Sequence, residues 1–292
     1  MGKLAYLVRS GVGQLAHERR SCPNCGGNGI TIARKYGVTA LKRCEACALL
    51  FRTPTDPPSL GERFYNEDYV QGQTTSLPSP DDLERMKAND FAELENDYAG
   101  FGRKLTALGA TPGARVFDFG CSWGYGSYLL RKAGFEVKSF EISRPRRSFG
   151  KRHLGIDLTE DFDAFVAENP ATFDVFFSSH VLEHVPAPGR VIEQGLALLK
   201  PGGLLVSVFP NGSQAYRKAN PESWRKLWGE VHPNFIDDVF LARCLGGMPY
   251  LLGSSPVTIA EADLRHLAEG AGERRLDALE RYELFAAARK PA

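Results

Sequence analysis

Val116-Phe-Asp-Phe-Gly-Cys-Ser-Trp-Gly-Tyr-Gly126 decides how this 292-residue chain is read. An apolar run ends in an acid, Asp118, and three glycines, Gly120, Gly124 and Gly126, follow within eight positions of it. A buried strand feeding a glycine-rich turn and then a helix opens a βαβ unit, because glycine lets the backbone bend sharply and lets a ligand approach it closely. The dinucleotide fingerprint G-x-G-x-x-G is not met: counted from Gly120, its second and third glycine positions hold Ser122 and Tyr125. Asp118 points the same way. A carboxylate at the mouth of the turn repels a pyrophosphate but suits a ligand that carries an ammonium and a sulfonium and no phosphate.

S-adenosylmethionine (SAM) is such a ligand. Glu141 stands 21 residues after Gly120, at the end of the next strand, where it can accept hydrogen bonds from ribose hydroxyls. Strand and helix patterns alternate on both sides of this point. Strands are predicted over residues 115–119, 136–141, 173–178, 204–209, 249–253 and 283–288, and helices near 124–133, 145–153, 188–199, 236–246 and 260–270. That order predicts an α/β fold, a mostly parallel Rossmann-like sheet with helices on both faces. Upstream, apolar residues at three- to four-residue steps from Leu83 to Leu108 predict one or two amphipathic helices.

Residues 54–80, rich in Pro, Thr, Ser and Gly, read as a linker, which divides the chain into a front module (1–53), the linker, and a catalytic domain (81–292). The front module contains Cys22-Pro-Asn-Cys25-Gly and Cys44-Glu-Ala-Cys47. Two such knuckles supply four thiolates for a closed, structural zinc site. Disulfides are the competing reading, disfavoured in a chain that shows no export signal. Cys121 and Cys244 read as packing residues rather than metal ligands.

With 43% hydrophobic and 24% charged residues, the composition is that of an ordinary soluble protein, and no apolar run approaches the roughly 20 residues that cross a bilayer. The expected location is the cytoplasm. The net charge of +1 hides an asymmetry: residues 1–53 hold nine Lys/Arg against Glu18 and Glu45. Leu4, Leu7, Val8, Val12 and Leu15 fall near helical spacing; a helix packed on its own protein is the simpler reading, and a helix lying on a membrane surface the other.

Four segments together resemble class I SAM-dependent methyltransferases. VFDFGCSWGYG is similar to their motif I, SFEIS to the second-strand acid, FDVFFSSHVLEHVPAP to the fourth-strand segment, and LLKPGGLLVSVFPN to the turn into the fifth strand. The CPxCG…CxxC pair, followed by Phe51…Pro54 and FYNEDY, resembles the front end of a bacterial branch that methylates sugars and other small metabolites. The resemblance implies a methyltransferase acting on a small-molecule acceptor, at an oxygen of a sugar or similar metabolite, with Asp118, Gly120, Cys121, Gly124 and Glu141 as SAM contacts. Asp157 is the one position considered for an adenine contact. Ser122 departs from the family pattern by replacing the middle glycine of motif I, which predicts a tighter loop.

Methyl transfer to a hydroxyl needs alignment and a base. His180, Glu183 and His184 follow the fourth strand, at the end of the sheet where open α/β folds bind ligands, and His232 lies in WGEVHPNFID, similar to a family stretch that reaches the acceptor. Glu183, His184 and His232 are therefore the catalytic candidates, while His180 reads as structural. Tyr216, Arg217, Lys218, Trp224, Arg225, Lys226 and Trp228 fit either a lid over the acceptor or packing with the charges in water. Arg144, Arg146, Arg147, Lys151 and Arg152 read as a solvated helix face. Two rival functions remain at this point: an RNA-modifying methyltransferase whose basic module holds phosphates, and a zinc-ribbon binding protein without catalysis.

Overall fold

Val116, Phe117 and Phe119 leave a strand at 115–119 no face to show to water, and the chain folds accordingly. The computed structural model describes residues 3–57, 76–92, 94 and 98–292. Most of the expected linker (58–75), and FYNEDY with it, lies outside the described residues. The described strands are β1 (Gly29–Lys35), β2 (Thr39–Cys44), β3 (Leu50–Thr53), β4 (Arg115–Phe119), β5 (Glu136–Phe140), β6 (Leu158–Thr159), β7 (Phe173–Ser179), β8 (Leu199–Pro210), β9 (Asn234–Phe235), β10 (Tyr250–Ser254), β11 (Glu273–Arg275) and β12 (Glu283–Arg289).

Contacts divide the chain into two units that do not follow chain order: one of residues 1–58, 179–196 and 205–291, the other of 59–178 and 197–204 with the terminal Ala292. In the second unit the strands run β8–β7–β4–β5–β6. The pairings β4 with β5 and β7, and β5 with β6, are parallel, with Val116 opposite both Val137 and Val175. Phe117 anchors this core, its ring 5.2–5.9 Å from those of Phe162, Phe165, Phe173 and Phe176. Burying each such side chain contributes roughly 1.5–3 kcal/mol, which holds the strand that delivers Asp118. The amphipathic stretch becomes helices Pro80–Ala88 and Tyr98–Ala107, the first capped by the Ser79 hydroxyl, which accepts from the Asp82 amide.

In the first unit, β1–β2–β3–β9 form an antiparallel sheet, and β11–β10–β12–β8 form another set, with β10 antiparallel to β12 and parallel to β11. Leu41, Leu50 and Phe235 of the small sheet pack with Tyr216, Trp224, Leu227 and Trp228. All three aromatics of the 214–228 insertion are therefore buried, and the lid reading gives way to packing. Among the described residues no helix is long and apolar enough to cross a membrane.

Candidate functional site

The turn after β4 is built by main-chain bonds. The amides of Gly120 and Cys121 both donate to the Phe140 carbonyl, at 2.8 and 3.0 Å, and the Gly124 amide donates to Cys121 O. Gly124 takes φ +91, and a Cβ there would stand 2.6 Å from Ile156, so only glycine fits. Ser122 also takes a left-handed φ of +53, which costs a residue with a Cβ about 1–2 kcal/mol. Two contacts offset that cost: its amide donates to Glu141 Oε2 at 2.9 Å, and Arg146 donates to its hydroxyl. Arg146 is thereby buried, a correction to the reading of its whole run as a solvated face, because the turn needs a donor there.

Asp118 is fully buried. Ser139 donates to Ser127 and Ser127 to Asp118 Oδ2, at 3.0 and 2.6 Å, while Oδ1 has no partner among the described residues. Burial pushes the carboxyl up to about 7, against the Ser127 hydrogen bond and with the charge of Glu141 adding to the rise. An orphaned oxygen on such a group calls for a donor from a ligand, preferably a cationic one. Glu141 accepts from the amides of Ser143 and Ser122, at 2.7 and 2.9 Å, one on each oxygen, leaving one acceptor position per oxygen for hydroxyls. Cys121 is buried beneath the turn, its thiol 3.6 Å from Ser122 O, and contributes packing. Asp157, the adenine candidate, is exposed and ion-paired with Lys138 at 2.6 Å. Asp118 and Glu141, with these acceptor positions, fit the methionine end and the ribose of SAM.

The four cysteine sulfurs of the first unit lie within 4.8 Å of one another, with Cys22–Cys47 at 3.6 Å and Cys25–Cys44 at 3.4 Å. Zn–S bonds of about 2.3 Å in a tetrahedron put sulfurs about 3.8 Å apart, so the set fits one zinc. Without a metal the thiols divide. Burial would raise Cys44, but the amides of Cys47 and Ala46 and the Cys25 thiol hold it down to about 7, whereas burial pushes Cys22 and Cys47 up, so a bound cation would have to draw those two to the thiolate. The knuckle is tied to its unit: Asn24 Oδ1 accepts from the Gly189 amide at 2.7 Å, and Arg43 pairs with the buried Asp237 at 2.5 Å.

In the same unit the residues after β7 form a second cluster. Glu183 is fully buried, and neither of its oxygens has a hydrogen bond among the described residues. His180 Nδ1 and His184 Nε2 stand 3.6 and 3.7 Å from Oε1, and the His184 and His232 rings are 4.9 Å apart. His184 Nδ1 donates to Val231 O at 2.8 Å and His232 Nδ1 to Leu227 O at 2.5 Å. A carbonyl only accepts, so both Nδ1 atoms carry a proton, and burial holds the His184 imidazole below its ordinary value, toward the neutral form with a lone pair on Nε2. Burial would raise Glu183, yet His184, His180 and His232 hold it down at about 2. Burial would lower His180, but its contacts with Glu183 and Glu283 raise it to about 10. The structure thus brings the three catalytic candidates together, as a base pair beside a carboxylate or as a two-histidine, one-carboxylate set that a divalent cation could use.

Two residues of this cluster were not found from the sequence. Asn234, buried, donates from its amide to Glu183 O and from Nδ2 to Val185 O, at 3.1 and 2.6 Å, and so clamps the Glu183–His184 turn. Glu283 reaches His180 from 103 positions away. Neither has a local spacing that would single it out.

Two relatives match this chain over part of its length. A ubiquinone biosynthesis O-methyltransferase of Ralstonia nicotianae is 34% identical over 111 residues, 36% of this chain and 47% of that protein. One from Xanthomonas campestris is 33% identical over 107 residues, 35% of this chain and 45% of that protein. The chain spans about half the length of the curated relatives it matches. The plantazolicin methyltransferase BpumL, solved with a desmethylPZN analog and SAH, shares the fold at a TM-score of 0.50 and 15% identity, covering 80% of this chain and 94% of that one. The family model described as "Methyltransferase domain" matches residues 91–247, more than half of the sequence, and the chain belongs to that family.

Proposed function

We propose that the chain transfers a methyl group from SAM to a hydroxyl oxygen of a small molecule, with one zinc held by Cys22, Cys25, Cys44 and Cys47 as a structural support. The observation that carries the reading is Asp118, a buried carboxyl with one oxygen left without a donor at the mouth of a glycine turn. SAM, when bound, supplies a methyl already activated by its sulfonium. Asp118 would accept from the methionine end and Glu141 from the ribose. His184 or His232, acting through Nε2, would take the acceptor's proton, and ionised Glu183 would stabilise the imidazolium that results.

The relatives named O-methyltransferases support oxygen as the acceptor atom. The resemblance of the front module supports the finer reading, a sugar hydroxyl. The RNA reading loses support from the front module itself, where Arg9, Arg43 and Arg52 are engaged by Asp56 and Asp237. The deciding experiment is incubation with methyl-labelled SAM and three acceptor pools: sugars, phenolic metabolites and RNA. Label in the sugar or the phenolic pool is expected. Label in RNA alone, or SAM binding with no transfer to a wide acceptor panel, would overturn the proposal.

A further inference from the structure

Helix Lys3–Gly13 has two unlike faces. Tyr6, Ser10 and Gly13 are buried against the protein. On the other side Leu4 is 76% exposed, Val8 60% and Val12 64%, and Leu15, just past the helix, is 84% exposed. At about 100° per residue these four span an arc of roughly 80°, opposite Tyr6 and Ser10. A helix at a water-facing surface turns polar residues outward, whereas this outer face is aliphatic along its whole length. Cations stand at its end. Arg20 donates to the carbonyl of Gln14, beside Leu15, and Gln14 Nε2 donates to Val38 O at 3.1 Å. That bond brings up the β1–β2 hairpin tip, with exposed Tyr36 and Arg34.

We propose that this helix docks on an anionic lipid surface, with Leu4, Val8, Val12 and Leu15 in the headgroup–acyl boundary, Tyr36 at headgroup level, and Arg20 and Arg34 on lipid phosphates. At about 16 Å the helix is too short to cross a bilayer and suited to lying on one. Charge selects lipid over a second copy of the chain. Exposed Arg20 and Arg34 stand at the Leu15 end of the stripe, so stripe-to-stripe pairing would bring those cations toward their counterparts, whereas anionic headgroups neutralise them. The inference rests on the exposure of this helix and is independent of the acceptor.

The test is co-sedimentation of the full chain with phosphatidylcholine vesicles, with and without phosphatidylglycerol. Binding that requires phosphatidylglycerol and weakens in high salt is expected, and the combined Leu4→Ser, Val8→Ser, Val12→Ser variant should bind at least about tenfold less. No binding by the wild-type chain, or equal binding by the variant, would overturn the proposal. So would a salt-independent dimer that the variant loses, since a second copy would then be the occupant. A lower unfolding temperature in the variant would overturn it too, because the stripe would then be packed inside the protein.

Discussion

Asp118 and Glu183 are both fully buried carboxyls, yet one is pushed up to about 7 and the other held down at about 2. Burial alone raises any carboxyl, so the difference lies in the neighbours. Glu183 has three histidines around it, one of them raised to about 10 and cationic at neutral pH. Asp118 has one serine hydroxyl and the like charge of Glu141. Glu183 is compensated by its own protein, whereas Asp118 has no cation beside it and would gain one from a cationic ligand. The four-cysteine set is a third case, with sulfurs gathered within 4.8 Å that could hold one metal ion among them.

The largest effect should come from the set that lacks any cation of its own. Replacing Cys22 or Cys44 with Ser should take zinc from about one per chain to none, measured by elemental analysis of freshly purified, reduced protein. Wild-type protein without zinc would end this part of the comparison.

Next come the histidines. We expect His184→Ala or His232→Ala to lower turnover at least about a hundredfold while SAM affinity changes less than about threefold. Turnover near wild type in both, at saturating acceptor, would mean that the compensated cluster has no part in proton transfer and would leave the chemistry to proximity or to a metal at Glu183.

A smaller effect is expected at Asp118. Calorimetry should show SAM binding weakened about tenfold or more in Asp118→Asn and in Glu141→Ala, the usual loss for a charge-assisted hydrogen bond. The folded-state pKa of Asp118 lies above that of the unfolded chain. Its ionisation therefore opposes folding, and its contribution to ligand-free stability declines as pH rises from about 4 to about 7. SAM, which needs the ionised form, should bind several-fold more tightly at pH 8 than at about pH 6, and Asp118→Asn should flatten that dependence. A flat wild-type profile would show that the two carboxyls do not differ as described.

The smallest effect is at Ser122. Glycine there relieves a left-handed φ but loses the Arg146 contact, and the two terms nearly cancel, so stability should move by less than about 1 kcal/mol. Loss of several degrees in unfolding temperature would mean that the Arg146 contact dominates the turn.

Local chemistry determined a good deal in advance. The six predicted strands and five predicted helices downstream of residue 112 all exist, because period and glycine placement are set by neighbours in the chain; β8 begins five residues early, at Leu199. The pairs Cys22/Cys25 and Cys44/Cys47 were equally legible, since each knuckle closes within four residues. Tertiary structure alone decided what depends on distant partners. Against burial, His180 is raised to about 10 by Glu183 nearby and by Glu283, which arrives 103 residues later, and the Glu183–His184 turn is held because β9 carries Asn234 to it. The aromatics of 214–228 are core because β1–β3 and β9 form a sheet for them to cover. Asp118 could be named from its place before Gly120, but its state could not, because a carboxyl's pKa is set by everything packed around it and not by the residues beside it in the chain.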